Sequence, residues 1–130
     1  MIITQDNYVK TAEEVILKLK GLKDKKGRDI PVVTTSKIRN LLSMTAEIYN
    51  EVLNYPDEKL DNKIRGKIDY LKIRFVYEAG REESVKRLIE CADIINVIDN
   101  IKGRKSEYIL FSHYIEALVA YRKFHVRNDG

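Results

Sequence analysis

The residues best suited to binding chemistry lie along one predicted helix, between residues 60 and 81. At 100° per residue, four cations and two phenols share one arc of this helix, and no acidic residue interrupts them. This set, the basic stripe, consists of Lys63, Lys67, Tyr70, Arg74, Tyr77 and Arg81. It extends over about 27 Å at the helical rise. A row of Lys and Arg can neutralise successive phosphates of a nucleic-acid strand, and the rings between them can add base or sugar contacts.

A second pair of cations, Lys37 and Arg39, falls in the first turn of another predicted helix. Cations at a helix N-terminus oppose the helix dipole, but they strengthen a site for phosphate because the free amides there already attract anions. Two alternatives remain open. Lys37 and Arg39 fit equally well as ordinary exposed residues, and Tyr70 and Tyr77 fit equally well as a cover for the core edge beside aliphatic Lys and Arg stems.

Catalytic chemistry has little support in the sequence. The two histidines, His113 and His125, lie near no cysteine or carboxylate pattern typical of a metal site, and Cys91 has no disulfide partner. An Arg and His pair of the kind used by helical ribonucleases fits poorly, because Arg122 precedes His125 by only three positions. Glycine-rich nucleotide-binding motifs are missing as well. We therefore expect no enzyme activity, no catalytic residues, no metal and no cofactor.

The elements that position these residues are predicted to be helices. The chain has 130 residues, of which 34% are charged, with only 6 Gly and 2 Pro, and this composition favours long helices over many turns. Apolar periodicity predicts an all-α, compact single-domain bundle of about five helices spanning residues 1–130. A basic, flexible loop is predicted at about 21–34. The third helix should begin at Asp57 and Glu58, and the fourth should run from Glu82 to Gly103.

Charge is concentrated on the third predicted helix. Between residues 59 and 81 there are seven basic and three acidic residues, a net charge of +4 that equals that of the whole chain. No apolar run is long enough to span a membrane, and the first residues do not resemble a secretion signal. We expect a soluble, cytoplasmic protein without membrane contact.

Three segments resemble the small subunit of type III-A CRISPR effector complexes, the Csm family. They are TTSKIRNLLSM at 34–44, YLKIRFVYEAGRE at 70–82 and FSHYIEALVAYRKF at 111–124. The resemblance implies a helical bundle without an active site that stacks along an RNA-guided complex. Its implied partners are target RNA, the crRNA–target duplex, backbone subunits, the large subunit and further copies of itself. RNA contact is implied at Lys37, Arg39, Lys67, Arg74 and Arg81, and also at Lys63, Tyr70 and Tyr77.

An alternative function uses the same surface without RNA. The basic stripe would then dock acidic neighbouring subunits, and the protein would be an interaction module with no direct RNA role.

Overall fold

The computed structural model describes residues 1–127 of the chain, and these form a bundle of six helices without strands. The helices are α1 (Tyr8–Lys20), α2 (Thr35–Leu53), α3 (Asn62–Arg81), α4 (Glu83–Cys91), α5 (Ile94–Asp99) and α6 (Lys105–His125). The predicted all-α class is confirmed, whereas the count of about five helices is one too low for this part of the chain.

The extra helix arises because the predicted fourth helix is broken at Asp93. This residue adopts a left-handed conformation with φ of 56°, which ends α4 and lets α5 start in a new direction. Apolar residues on both sides of the break, including Leu88 and Ile98, are buried. Their helical spacing continues across the break, so periodicity alone does not reveal it.

Side-chain caps fix where three helices begin. Thr34 caps α2 by accepting a hydrogen bond from the Lys37 amide at 3.2 Å. The predicted start of α3 at Asp57 and Glu58 is wrong, because Asp61 caps it by accepting from the Ile64 amide at 2.9 Å. Glu58 instead accepts from the Ser106 amide at 3.1 Å, and thus caps α6.

Helix α6 is the central element and packs chiefly against α1 and α2. Its rings Tyr108, Phe111 and Tyr114 are fully buried. The two phenols donate hydrogen bonds to backbone carbonyl oxygens, Tyr108 to that of Thr45 at 2.6 Å and Tyr114 to that of Ala92 at 2.9 Å. These bonds satisfy polar groups that would be costly to bury alone.

The basic loop at 21–34 contains a tight turn. Gly27 has a φ of 78°, and the Asp24 carboxylate accepts hydrogen bonds from the amides of Lys26 at 2.8 Å and Arg28 at 3.0 Å. The loop ends at Val33, whose carbonyl accepts from the buried Arg122 at 2.8 Å. Its predicted flexibility remains a prediction.

Across residues 1–127, each helix is too short or too polar to cross a bilayer.

Candidate nucleic-acid interface

The buried face and the basic stripe lie on different sides of helix α3. Its inner face buries Ile64, Ile68, Leu71 and Phe75, so the helix has one possible orientation on the bundle. The stripe lies on the other side, as the spacing predicts. Its two tyrosines are almost two-thirds exposed, so they do not serve as a cover for the core edge.

The start of α2 and the end of α3 meet at a polar cleft of about 750 Å³, here called the α2–α3 cleft. It brings together Lys37, Arg39 and Arg81, which are predicted from separate parts of the sequence, and adds Lys123 from the end of α6. Lys37 spans the cleft and donates to the Glu82 carboxylate at 2.8 Å. This hydrogen bond and the Lys37 charge lower the pKa of Glu82, and the charge of Arg81 adds to the effect.

A second groove, of about 570 Å³, continues along the middle of α3 and is here called the Tyr70 groove. Lys63, Lys67, Tyr70 and Arg74 line one wall of it, and α2 contributes Glu47 to the lining. All predicted site residues except Tyr77 therefore line one of the two depressions. Tyr77 lies on the outer surface of α3, where the Arg81 guanidinium is 5.9 Å from the centre of its ring.

Carboxylates already pair with most of these cations. Lys67 donates to Glu51 at 2.6 Å, and Arg74 donates to Glu47 at 2.9 Å, both across the space between α3 and α2. Arg81 lies 3.5 Å from Glu78 one turn earlier on α3. Such exposed pairs contribute little free energy in water, typically about 0–1 kcal/mol. Phosphate oxygens can therefore replace the carboxylates at little cost.

Two predicted cations have no ion pair or hydrogen bond with the rest of residues 1–127, namely Arg39 and Lys63. Arg39 lines the α2–α3 cleft and Lys63 lines the Tyr70 groove, so each depression contains one cation without a carboxylate partner. Both are exposed.

Sequence reasoning missed the carboxylates and Lys123. The stripe is free of acids along α3, but Glu47 and Glu51 approach it from α2, and helical spacing within one segment cannot show such a neighbour. A usable signal was present in α2 itself, because Glu47 and Glu51 are four residues apart and share one face. Lys123 offered no comparable signal, since its position depends on how α6 crosses the bundle.

The two histidines contact side chains of other helices in the bundle. The Nε2 atom of His113 is 3.4 Å from the Tyr49 hydroxyl, and the His113 ring also lies near the Tyr8 ring. His125 Nε2 is 2.8 Å from a Glu13 carboxylate oxygen. In the part of the chain that the structure describes, no three metal-ligating side chains gather into a site.

The fold and this surface define a small all-helical protein with cation-lined depressions between two helices. Residues 9–128 match the model of a protein family described as Csm2 Type III-A. The chain belongs to this family, which confirms its resemblance to the small subunit of type III-A CRISPR effector complexes.

Relatives in three bacterial species support this assignment, and each is named CRISPR system Cms protein Csm2. The protein from Streptococcus thermophilus is 43% identical over 128 residues, which cover 98% of each chain. The protein from Enterococcus italicus is 38% identical over 124 residues, or 91% of this chain and 89% of its own. The protein from Mycobacterium tuberculosis strain H37Rv is 36% identical over 125 residues, or 95% of each.

Proposed function

We propose that this chain is a non-catalytic RNA-binding subunit of a type III-A CRISPR effector complex. In this proposal it binds target RNA, or the crRNA–target duplex, without regard to sequence. The binding surface consists of the α2–α3 cleft and the Tyr70 groove together, here called the α2–α3 face. The observation that carries the proposal is the convergence of Lys37 and Arg39 at the start of α2 with Arg81 at the end of α3, more than 40 residues further along the chain, around one cleft that adjoins the basic stripe.

The charge of this face supports a polyanionic ligand. Seven cations line the two depressions, and four carboxylates lie among them or pair with them, so the face carries a net charge of +3. The cations follow α3 from Lys63 to Arg81, a length of about 27 Å, which matches a backbone with regularly spaced phosphates better than a compact anion.

Binding by phosphate contact does not depend on sequence. Lys and Arg side chains that meet phosphates position a nucleic acid without reading its bases, so sequence choice remains with pairing to the guide. One copy with a few such contacts should bind weakly, with Kd of about 10⁻⁴ to 10⁻⁶ M at physiological salt. Several copies on one duplex would raise the affinity through avidity.

The test removes Arg39 and Lys63 together, by alanine substitution, and measures target-RNA binding by the assembled complex at several salt concentrations. These residues have no carboxylate partner among residues 1–127, so their loss should leave the thermal midpoint unchanged. If each contacts one phosphate, the slope of log K against log salt should become shallower by about 1.4–1.8 for every bound copy.

A matched control removes Lys10 and Lys20, which carry the same charge on α1, away from the α2–α3 face. This variant should retain wild-type binding. Equal losses in both variants would show that overall charge, rather than this face, determines binding. Unchanged binding in the Arg39 and Lys63 variant would refute the proposal.

The second candidate function is docking of an acidic neighbouring subunit on the same face. It is favoured by one observation, that Glu47 and Glu51 already bind cations of the stripe, as an acidic partner would. Ultraviolet crosslinking of the assembled complex separates the two functions. Crosslinks from Tyr70 to target RNA support the first, whereas crosslinks to protein alone support the second.

A further inference from the structure

The α2–α3 cleft is lined by neutral polar side chains as well as by cations. Ser36, Asn40 and Ser43 line it from α2, and Glu78 and Arg81 line it from α3. All residues of the lining, within the part of the chain that the structure describes, are polar or charged. Such a lining suits a ligand that carries hydroxyl groups in addition to negative charge.

The three neutral residues of α2 form a continuous row, here called the neutral line. Ser36, Asn40 and Ser43 are four and then three residues apart, so they share one face of the helix. At 100° per residue, Arg39 falls on one side of this row and Lys37 on the other, and the row is about 10 Å long. A strand whose phosphates are bound by Arg39 and Lys37 would therefore pass over the neutral line with its sugars.

The neutral line contributes nothing to the packing of its own chain. Its residues are exposed, and their side chains form no hydrogen bond within residues 1–127. Thr45, two positions after Ser43, differs in this respect, because its buried hydroxyl donates to the Leu41 carbonyl at 3.0 Å. Serine and asparagine are also less favourable than alanine inside a helix. The hydrogen-bonding groups of the neutral line are therefore available to a ligand.

A ribose 2′-hydroxyl can donate a hydrogen bond, and the cations of the cleft cannot accept one. Lys and Arg side chains are donors only, so they suit phosphate oxygens but leave a hydroxyl hydrogen without a partner. The two carboxylates of the cleft are already engaged, Glu82 by Lys37 at 2.8 Å and Glu78 by Arg81 at 3.5 Å. The side-chain acceptors that remain are those of the neutral line, and its hydroxyl and amide groups can also donate.

We propose that the neutral line binds ribose 2′-hydroxyls of the strand held in the α2–α3 cleft, with Asn40 and Ser43 as the principal contacts, and thereby makes this surface selective for RNA over DNA. The inference rests on the proposed function, because it requires a nucleic-acid strand in the cleft. Sugar contacts carry no sequence information, so binding remains independent of sequence. A deoxyribose strand retains its phosphate contacts but offers no hydroxyl to Asn40 and Ser43.

The test measures binding of two targets by the assembled complex, a complementary RNA and the same sequence with 2′-deoxyribose throughout. Asn40→Ala with Ser43→Ala should lower affinity for the RNA about threefold to tenfold per bound copy, because hydrogen bonds to the sugar are lost. Affinity for the deoxyribose target should not change. Comparing the two sugars within each variant cancels the sugar preference of the other subunits. The salt dependence should stay as in the wild type, since no charge is removed.

Two controls separate sugar contact from general effects on the fold. Asn40→Ala with Ser43→Ala should leave the thermal midpoint unchanged or raise it, because alanine is the better helix former at both positions. Gln5→Ala with Asn100→Ala removes two exposed neutral amides that line neither the α2–α3 cleft nor the Tyr70 groove, and it should retain the wild-type sugar preference. Ser43→Thr retains a hydroxyl and should retain the preference as well.

Unchanged RNA affinity in the Asn40 and Ser43 variant, or an equal loss on both sugars, would overturn the proposal. A loss of sugar preference in the Gln5 and Asn100 variant of the same size would overturn it too. Failure of the proposed function gives a different result, because Arg39→Ala with Lys63→Ala would then bind both targets with wild-type affinity and salt dependence.

Discussion

At the scale of single residues, the α2–α3 face contains cations that are paired with carboxylates but remain partly exposed to solvent. Arg74 and Lys67 are paired with Glu47 and Glu51 at 2.9 and 2.6 Å, and all four side chains retain contact with solvent. Binding of a phosphate here is an exchange of one anion for another. The measured affinity therefore reports the difference between two ion pairs rather than the full strength of one.

Neutralising the competing carboxylates should thus strengthen RNA binding. Glu47→Gln with Glu51→Gln retains side-chain size but releases Arg74 and Lys67, and we expect a threefold to tenfold gain in target-RNA affinity per copy at low salt. Filter binding of the assembled complex measures it. Glu14→Gln with Glu116→Gln changes the net charge equally on other helices and should give little gain; a gain of the same size there would contradict the exchange.

At the scale of elements, α6 is held by two buried phenols whose ionisation is unfavourable. Burial raises the pKa of both Tyr108 and Tyr114 well above their usual value. Above pH 10 the unfolded chain ionises these phenols and the folded chain does not. Stability that is complete below pH 10 is consequently lost as the pH rises further.

Urea unfolding between pH 8 and 11 tests this linkage. Above pH 10 the free energy of unfolding should fall by up to about 1.4 kcal/mol per pH unit for each of the two phenols. Tyr108→Phe should cost about 1 kcal/mol at pH 8, because its hydrogen bond to Thr45 is lost, and should also flatten the alkaline decline. Tyr121→Phe, at a less buried position on α6, should leave the decline steep.

Most of the helical fold is predictable from the sequence, and the exceptions have identifiable causes. Apolar spacing predicts the buried faces of α3 and α6 because each depends on residues within one helix. The break at Asp93 and the transfer of the Glu58 cap to α6 depend on contacts between distant segments, which spacing does not encode. The same applies to the site: the basic stripe is local and predictable, whereas Glu47, Glu51 and Lys123 approach it from other helices.

At the scale of the whole molecule, the buried Arg122 connects the core to the cleft. Its Nε donates to the Val33 carbonyl at 2.8 Å, two residues before the start of α2. Lys37 and Arg39 occupy the first turns of that helix. The geometry of the α2–α3 cleft therefore depends on a guanidinium at the far end of α6.

Arg122→Met should accordingly impair both stability and binding. Loss of this hydrogen bond in a buried position should lower the free energy of unfolding by about 2–4 kcal/mol, and RNA affinity of the assembled complex should fall several-fold. Chemical denaturation and filter binding measure the two effects. Lys86→Met, on the exposed surface of α4, is the control. Wild-type stability of Arg122→Met would show that the guanidinium does not anchor the loop.

The central position of α6 also determines when the chain can fold during its synthesis. Helices α1 and α2 pack chiefly on α6 and hardly on each other. The N-terminus of α6 is capped from Glu58, and its C-terminal turn reaches back to Val33. The nascent polypeptide accordingly exposes much of the apolar faces of α1 and α2 until α6 has left the ribosome, so the bundle cannot complete its core from the first helix onward.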